Sequence, residues 1–490
     1  MDSGSTPQVS YDARATTVAH RRRRIIVALL GALTAVPLFG DAALAHANSA
    51  SAAPPPALSH ARHLPGLLTG VIATAAGFGH SLALRSDGTV VAWGYNDIGQ
   101  LGDGTTTDRP TPVRVCAVDQ TAPCTRFLDQ VVAIAADANS FHSIALLRDG
   151  TVVTWGANDW GQLGNGRDGI SAFRSTPVRV CAVDEAAPCD RFLSGVRTIA
   201  SGGFHSMAQL RDGRLVTWGE NSYGELGDGT LDNRSTPVRV CAVDEAAPCD
   251  RFLSGVRTIA GGGFHSMAVV GNAVAVAWGY NGVGELGDGT LANRSTPVRV
   301  CAVGEIAPCD RFLSAVRAVT AGGFHTMALL GSGAVVSWGL NYSGELGDGT
   351  RVNRPTPVRV CAAGQVAPCS RFLFGIRAIA AGGFPSVGFH SMALLGSGNG
   401  VLTWGANALG ELGDGTRVNR STPVRVCAVG QVAPCSRFLF GMRTIDAGGL
   451  HSMALMTGYT VATWGGNEFG QLGDGTRTDR VTPVEVLALD

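Results

Sequence analysis

A Trp-Gly pair recurs seven times in this chain, at Trp93, Trp155, Trp218, Trp278, Trp338, Trp404 and Trp464. The steps between them are 62, 63, 60, 60, 66 and 60 residues. Spacing that regular means one supersecondary unit copied along the chain, which overrides any domain count taken from length alone. Two other signatures keep step with it: a His-Ser or His-Thr pair upstream and a Gly-rich run of the type Gly-Glu-Leu-Gly-Asp-Gly downstream. Seven copies fill residues 67–490 as one domain.

Repeat three shows the parts. Arg197–Ala200 reads as a short strand ending at a Gly pair, and His205–Leu210 as a second. Arg211-Asp212-Gly213 supplies the hairpin turn that an Asp-Gly pair favours. Leu215–Trp218 is a third strand, followed by a long Gly-rich loop. The fourth, Thr236–Val240, carries Pro237 near its entry, where a missing N–H does least harm. The strands place small or apolar residues on both faces, as sheets sandwiched between neighbours require. The fold expected is all-β: a seven-bladed β-propeller of four-stranded antiparallel blades. The recurring Trp is then the large side chain that fills the gap between adjacent blades. In chain order, Val484-Glu485-Val486 is placed to complete the first blade as a clasp.

Twelve cysteines fall in six pairs of one spacing: Cys116/Cys124, Cys181/Cys189, Cys241/Cys249, Cys301/Cys309, Cys361/Cys369 and Cys427/Cys435. An even count at a fixed local spacing predicts disulfides and an oxidising compartment. Pairing between blades and free thiols are the other arrangements. Zinc fits poorly, since each loop offers two thiols and no neighbouring His. Arg21–Arg24, the apolar run Ile25–Gly40 and Ala45-His46-Ala47 together describe a signal peptide over residues 1–47. The apolar run is short of the ~20 residues a spanning helix needs, so cleavage is expected and an uncleaved anchor is the alternative. Residues 48–66, rich in Ala, Ser and Pro, read as a tether. Export to the periplasm, cell surface or medium follows from the two signals together. Acidic and basic side chains number 38 each, and no basic stripe of the kind nucleic acid requires is present.

The pattern A-x-G-x-x-H-[ST]-[MIL]-A-L, then W-G-x-N-x-x-G-[QE]-L-G-[DN]-G-T, then [ST]-x-P-V-R-V resembles the regulator-of-chromosome-condensation repeat. The resemblance spans about residues 67–490, seven times. It implies a seven-bladed β-propeller and protein binding as the commonest role. Some members of that family are guanine-nucleotide exchange factors for a small GTPase, and some secreted bacterial members inhibit β-lactamases. The Cys-x7-Cys loop in six repeats departs from the family pattern and, with export, argues against the exchange-factor role.

Residues repeated seven times read as scaffold. His80, His142, His205, His265, His325, His390 and His451 are expected to hydrogen-bond within their own blades. The Asp-Gly-Thr segments at Asp103, Asp228, Asp288, Asp348, Asp414 and Asp474 read as Asx turns rather than calcium loops. No metal, cofactor or catalytic set is expected. The informative residues break the period. Repeat two gains residues at Asp137–Ser140 and around Arg167–Ile170; repeat six gains Pro385–Phe389 and one more near Asn399. Up-and-down strands put the three larger insertions on one face. That face also carries the position before the loop Gly, occupied by Ile98, Trp160, Tyr223, Val283, Ser343, Leu409 and Phe469. Ile98, Trp160, Arg167, Asp168, Tyr223, Tyr342, Pro385, Phe389 and Phe469 are the expected contacts for a protein partner, unless they tuck under their own loops. A monomeric, non-enzymatic, exported protein binder is the leading expectation, with inhibition as one form that role can take. An exchange-factor-like regulator or a carbohydrate- or cell-surface-binding propeller are the alternatives.

Overall fold

The structure is a computed structural model, described here over residues 66–398 and 400–489. The expected signal peptide, nearly all of the tether and the extra residue at Asn399 lie outside the described residues. Seven four-stranded antiparallel sheets each use four consecutive strands. Blade one is built from β1 (Val71–Ala76), β2 (His80–Arg85), β3 (Val90–Gly94) and β4 (Arg109–Arg114). The first strands line the axis, each touching the first strands of its neighbours. The fourth strands lie outermost; in each, Pro is the buried residue, and Arg marks both ends in blades one to six and the first end in blade seven, which closes on Glu485. The outer edge tolerates Pro because it has no further strand to pair.

The register is the same in every blade. His80 faces Gly94, Ser81 faces Trp93 and Leu82 faces Ala92; His205 faces Gly219 in blade three. The Asp212-Gly213 turn forms as expected, closed by Leu210 N–H to the Arg214 carbonyl at 2.8 Å, with Gly213 at φ +85°. The fourth strand of blade three is Arg234–Arg239, starting two residues before the sequence reading, because Gly219 pairs with Arg234 across a bulge.

The seven Trp side chains of the Trp-Gly pairs are fully buried. Trp155 packs among Leu82, Leu84 and Val115 of blade one and Val153 of its own blade, so the tryptophan does fill the gap between blades. Burying ~150–250 Å² per ring contributes about 4–6 kcal/mol of transfer free energy as an upper bound. The seam between blades seven and one uses the same packing, with Trp93 against Met453, Leu455 and Val486.

No strand is exchanged at that seam. The fourth strand of blade seven, Arg480–Glu485, pairs with its own blade, so the expected clasp is not formed. Closure comes from a short bridge, Leu67 to Leu487, with Leu68 N–H to the Val486 carbonyl at 3.0 Å and Ala488 N–H to the Gly66 carbonyl at 3.1 Å. The same bridge joins Cys116 to Phe127 at the first junction, where the chain runs on without a break.

The cysteines pair locally, within one loop and not between blades. Cys116 bonds Cys124, Cys181 bonds Cys189 and Cys241 bonds Cys249. Cys301 bonds Cys309, Cys361 bonds Cys369 and Cys427 bonds Cys435. The Cα atoms of each pair are 5.6–5.7 Å apart, within the span an unstrained disulfide needs. The two ends are not equivalent, a difference that identical spacing does not reveal. The first cysteine of each pair is buried under the outer strand. Its partner, at Cys124, Cys189, Cys249, Cys309, Cys369 and Cys435, is only half-buried in the returning hairpin. Each bridge therefore ties a solvent-facing loop to the packed edge of its blade.

Candidate interaction surfaces

The repeated polar residues form a belt inside the ring. Each His Nε2 hydrogen-bonds the Ser or Thr of the next blade at 2.7–3.0 Å, from His80 with Ser143 round to His451 with Ser81. This corrects the expectation that each His serves its own blade. Ser206 Oγ and Trp218 Nε1 both donate to the Gln162 carbonyl of the preceding blade at 2.9 Å. The hydroxyl spends its only proton there, so the ring Nε2–H is the donor to Ser Oγ. Burial alone holds His205 and His325 down at about 3, so these imidazoles are neutral connectors. A Cβ on Gly202 would sit 2.1 Å from His205 Cε1, which explains the Gly upstream of the ring.

The loop after the Trp-Gly pair is organised by an Asn. Asn221 Nδ2 reaches Asp228 Oδ1 and the carbonyls of Thr230 and Asp232, each at 3.1 Å. Asp228 Oδ1 caps Thr230 N–H at 2.9 Å, the expected Asx turn, and its other oxygen pairs with Arg234 at 2.9 Å. In blade two Asn165 replaces the Asp, and Arg174 turns instead to the carbonyls of Ala172 and Phe173. The position before Leu in the Gly-rich run is buried throughout. Gln100, Gln162 and Gln471 use Oε1 to take a main-chain N–H two residues upstream; Glu225, Glu285, Glu345 and Glu411 use Oε2 for the same bond. Burial pushes Glu285 up to about 8 and Glu411 up to about 7, so near neutrality a protonated acid stands in for the amide.

Strand alternation puts the connections between first and second strands and between third and fourth strands on one face, the loop face. The expected contacts divide there. Arg167 and Asp168 are exposed, with Ile170 at 66 %. Trp160, Tyr223, Tyr342, Pro385 and Phe469 are half-buried. Ile98 and Phe389 are buried, which removes both as contact residues. Phe389 packs against Phe324 at 6.0 Å. Its insertion extends the first hairpin of blade six (Ile376–Phe384 and Gly388–Leu395), and Phe384 reaches Phe78 of blade one at 4.4 Å.

The insertion Asp137–Ser140 is buried too. Phe78 N–H bonds the Ser140 carbonyl at 3.1 Å, and Asn139 lies against Gly203 and Gly323 of blades three and five. Both insertions therefore close the axis instead of adding to the rim. The partly open side chains on the loop face include Phe469 of blade seven, Trp160 of blade two, Tyr223 of blade three, Tyr280 of blade four and Tyr342 of blade five, whereas Tyr95 of blade one is buried. Phe469 meets Tyr95 at 4.6 Å, Trp160 stands beside Arg167–Ile170, and Tyr223 meets Tyr280 at 5.1 Å.

Sequence reasoning missed Tyr95, Tyr280 and the buried carboxylates Glu220 and Asp446. Tyr95, Glu220 and Tyr280 share the variable position after the Trp-Gly pair, which carries no repeat signal, whereas Asp446 interrupts its column. Asp446, bonded by the Thr74 hydroxyl, stands where other blades carry Ala or Thr.

The cysteine hairpins border grooves over the outer strands, about 770 Å³ at Asp119, Arg167, Arg174 and Cys189, and about 600 Å³ at Gly304, Arg354 and Cys369. An arginine covers a Phe in each hairpin, as Arg239 does Phe252 at 5.4 Å. Ile306, Val366 and Val432 at three tips are 84–85 % exposed. Among the described residues no three His, Cys, Asp or Glu side chains gather at a metal-sized site.

The sequence matches the RCC1-like domain over residues 40–383 and the Regulator of chromosome condensation (RCC1) repeat over 399–455. It is similar to the Ultraviolet-B receptor UVR8 of Arabidopsis thaliana, at 29% identity over 86% of this chain and 83% of that protein. It is similar also to RUG3, a mitochondrial RCC1 domain-containing protein of the same plant, at 31% identity over 81% of each. Among solved structures, human WBSCR16 superposes with a TM-score of 0.60 at 21% identity, covering 81% of this chain and 94% of that one. Prp20p of Saccharomyces cerevisiae superposes with 0.56 at 20% identity, covering 86% and 90%.

Proposed function

The chain belongs to the RCC1-like family of seven-bladed propellers, and from that premise we propose an exported, non-enzymatic protein binder that engages its partner through the loop face. The carrying observation is the distribution of departures from the repeat. The sevenfold His, Ser and Trp belt is buried, whereas Trp160 and Arg167–Ile170 stand together at one place on the loop face. A half-buried Trp beside an exposed Arg is the composition of an interface centre, and a patch that occurs once suits one partner better than a sevenfold ligand. Capping a target with that patch would inhibit it. Six local disulfides and the basic-apolar N-terminal segment support export.

Family membership favours a second reading, an exchange-factor-like regulator. Prp20p is described by its binding to Gsp1p and histones. Intact mass before and after reduction separates the two. Loss of about 47 residues, with thiols appearing only on reduction, is expected for the exported binder. A full-length chain with free thiols would return the intracellular reading. Affinity capture from the producing cell's exterior should then retain a partner that Trp160→Ala loses; capture unchanged by that substitution would remove the loop-face patch from the reading.

A further inference from the structure

We propose that the face opposite the loop face docks on an anionic phospholipid bilayer, with Phe374 and Phe440 entering its apolar boundary and a row of arginines at the mouth of the axis meeting the headgroups. The turns between second and third strands lie on this face, and each blade begins between two of them. Ile376 N–H bonds the Gly333 carbonyl at 3.1 Å and Gly396 N–H the Gly375 carbonyl at 2.8 Å, which sets Phe374 beside the turns of blades five and six. Thr457 N–H bonds the Gly441 carbonyl at 2.8 Å, which sets Phe440 in the next slot. The two side chains are 66 % and 75 % exposed. Asp129, Ser194, Ser254 and Ser314 hold the corresponding positions, so the fold does not ask for a ring there.

The arginines stand on the innermost strands. In every blade a bulge leaves the second residue of the first strand out of the ladder, and a bulge re-aims the side chain it carries. That residue is Ile72 in blade one and Val132 in blade two, then Arg197, Arg257, Arg317, Arg377 and Arg443. All five arginines are exposed. Arg377 reaches across to the Met442 carbonyl at 3.1 Å, and Arg443 covers the Tyr459 ring at 4.1 Å, so the row follows the rim from blade to blade. Among the described residues no ion pair involves any of the five. Unpaired guanidinium groups in a row are suited to several phosphates at once.

Charge and chain path together select a bilayer as the occupant. Blades one to three put charge of both signs into their turns, as in the Arg85–Asp87 and Arg214–Asp212 pairs. The turns of blades four to seven, 271–273, 331–333, 396–398 and 457–459, carry none. The hairpins leading to the two Phe slots are equally free of acid: Arg251 and Arg311 pair with Glu245 and Glu305, whereas Arg371 and Arg437 have Gln365 and Gln431 in their place. The arc with the exposed rings is therefore the arc with unopposed positive charge, the combination that anionic lipid with an apolar interior attracts. The chain also enters the domain there. Val71 N–H bonds the Tyr459 carbonyl at 3.2 Å and Ser86 N–H the Gly70 carbonyl at 2.8 Å, so residues before Gly66 arrive in the slot next to Phe440. Export along Arg21–Arg24 and the apolar run Ile25–Gly40 brings this face to the membrane first, and the patch holds it there after cleavage.

The test is co-sedimentation of the mature chain with vesicles of phosphatidylcholine alone and of phosphatidylcholine mixed with phosphatidylglycerol. Binding to the anionic vesicles is expected to be about tenfold tighter or more, and to weaken as salt is raised. Phe374→Ser with Phe440→Ser, the residue that precedes blades three to five, should weaken it about tenfold and leave the melting temperature unlowered. Arg197→Gln, Arg257→Gln and Arg317→Gln together should weaken it about thirtyfold and flatten the salt dependence. Inorganic tripolyphosphate probes the soluble source of the same chemistry. Saturable tripolyphosphate binding, with vesicle binding unchanged in the Phe double variant, would assign the arginines to a free phosphate and overturn the bilayer. Equal binding to the two vesicles, binding to neither, or a dimer that the Phe double variant dissolves in place of vesicle binding overturns it as well. Capture of a protein through the loop face is a separate readout, so either reading fails without the other.

Discussion

In blade two the connection before His142 and the connection after Trp155 are both longer than their counterparts in blade three. Asp137–Ser140 is buried at the axis, whereas Arg167–Ile170 is exposed on the rim. Both interrupt the repeat equally in sequence. What separates them is the space available. The first lies against Gly203, Gly323 and Gly449 around the axis, so a backbone segment can enter and close it. The second follows a loop already locked by Asn158 and Leu163, whose N–H bonds Asn158 Oδ1 at 3.0 Å, and has only solvent to enter. A departure that turns inward adds stability; one that turns outward is available for recognition.

That contrast predicts a graded set of effects. Phe389→Ala, in the inward-turned hairpin of blade six, should destabilise by about 3–5 kcal/mol, read as a lowered melting temperature; a loss below about 1 kcal/mol would show that the hairpin does not close the axis. The buried acids give the next effect. The native state holds Glu285 and Glu411 protonated up to about 8 and 7, against an ordinary value of 4.5. It therefore binds more protons than the unfolded chain between those values. Stability should fall as pH rises from about 5 to 8, by up to ~1.4 kcal/mol per pH unit for each group, and level off above. Glu285→Gln and Glu411→Gln, copying blades one, two and seven, should flatten that slope in melts across pH; an unaltered slope would sink this account.

His325→Ala removes one link of the belt to Ser391 and should cost about 1–3 kcal/mol, measured by urea unfolding. An equal loss in Ser391→Ala and no further loss in the double variant would confirm that the pair acts as one. The smallest effect on stability belongs to the outward departure. Trp160→Ala and replacement of Arg167–Ile170 by the shorter blade-three loop should each shift stability by less than about 1 kcal/mol. If either unfolds the ring, the rim is part of the core.

The blades were readable because each strand repeats its apolar pattern seven times, and the Asp212-Gly213 turn names its own geometry. Ring closure was not, because Leu487 and Leu67 meet only when all seven blades have added their rotations. The buried side of the candidate site was hidden for a related reason. Phe389 and Ile98 look like rim residues in a linear pattern, and only the neighbouring blade shows that they are covered. Glu220 is visible as a lone acid in its column, but its burial is not, because the column itself varies.

The Leu67–Leu487 bridge has a dynamic consequence. Six junctions carry a continuous chain and a disulfide hairpin, so opening any of them leaves the two sides tethered. Among the described residues, the seventh joint is held by packing, by hydrogen bonds such as Leu68 to Val486 and Ala488 to Gly66, and by the Arg477–Asp108 ion pair, with no disulfide hairpin. Local opening therefore begins there, and these amides are the first of the barrel-like interior to exchange with deuterium. A ligand that bridged blades seven and one across this joint would slow exchange around the entire circumference, acting as a latch on a hoop that otherwise breathes at one point.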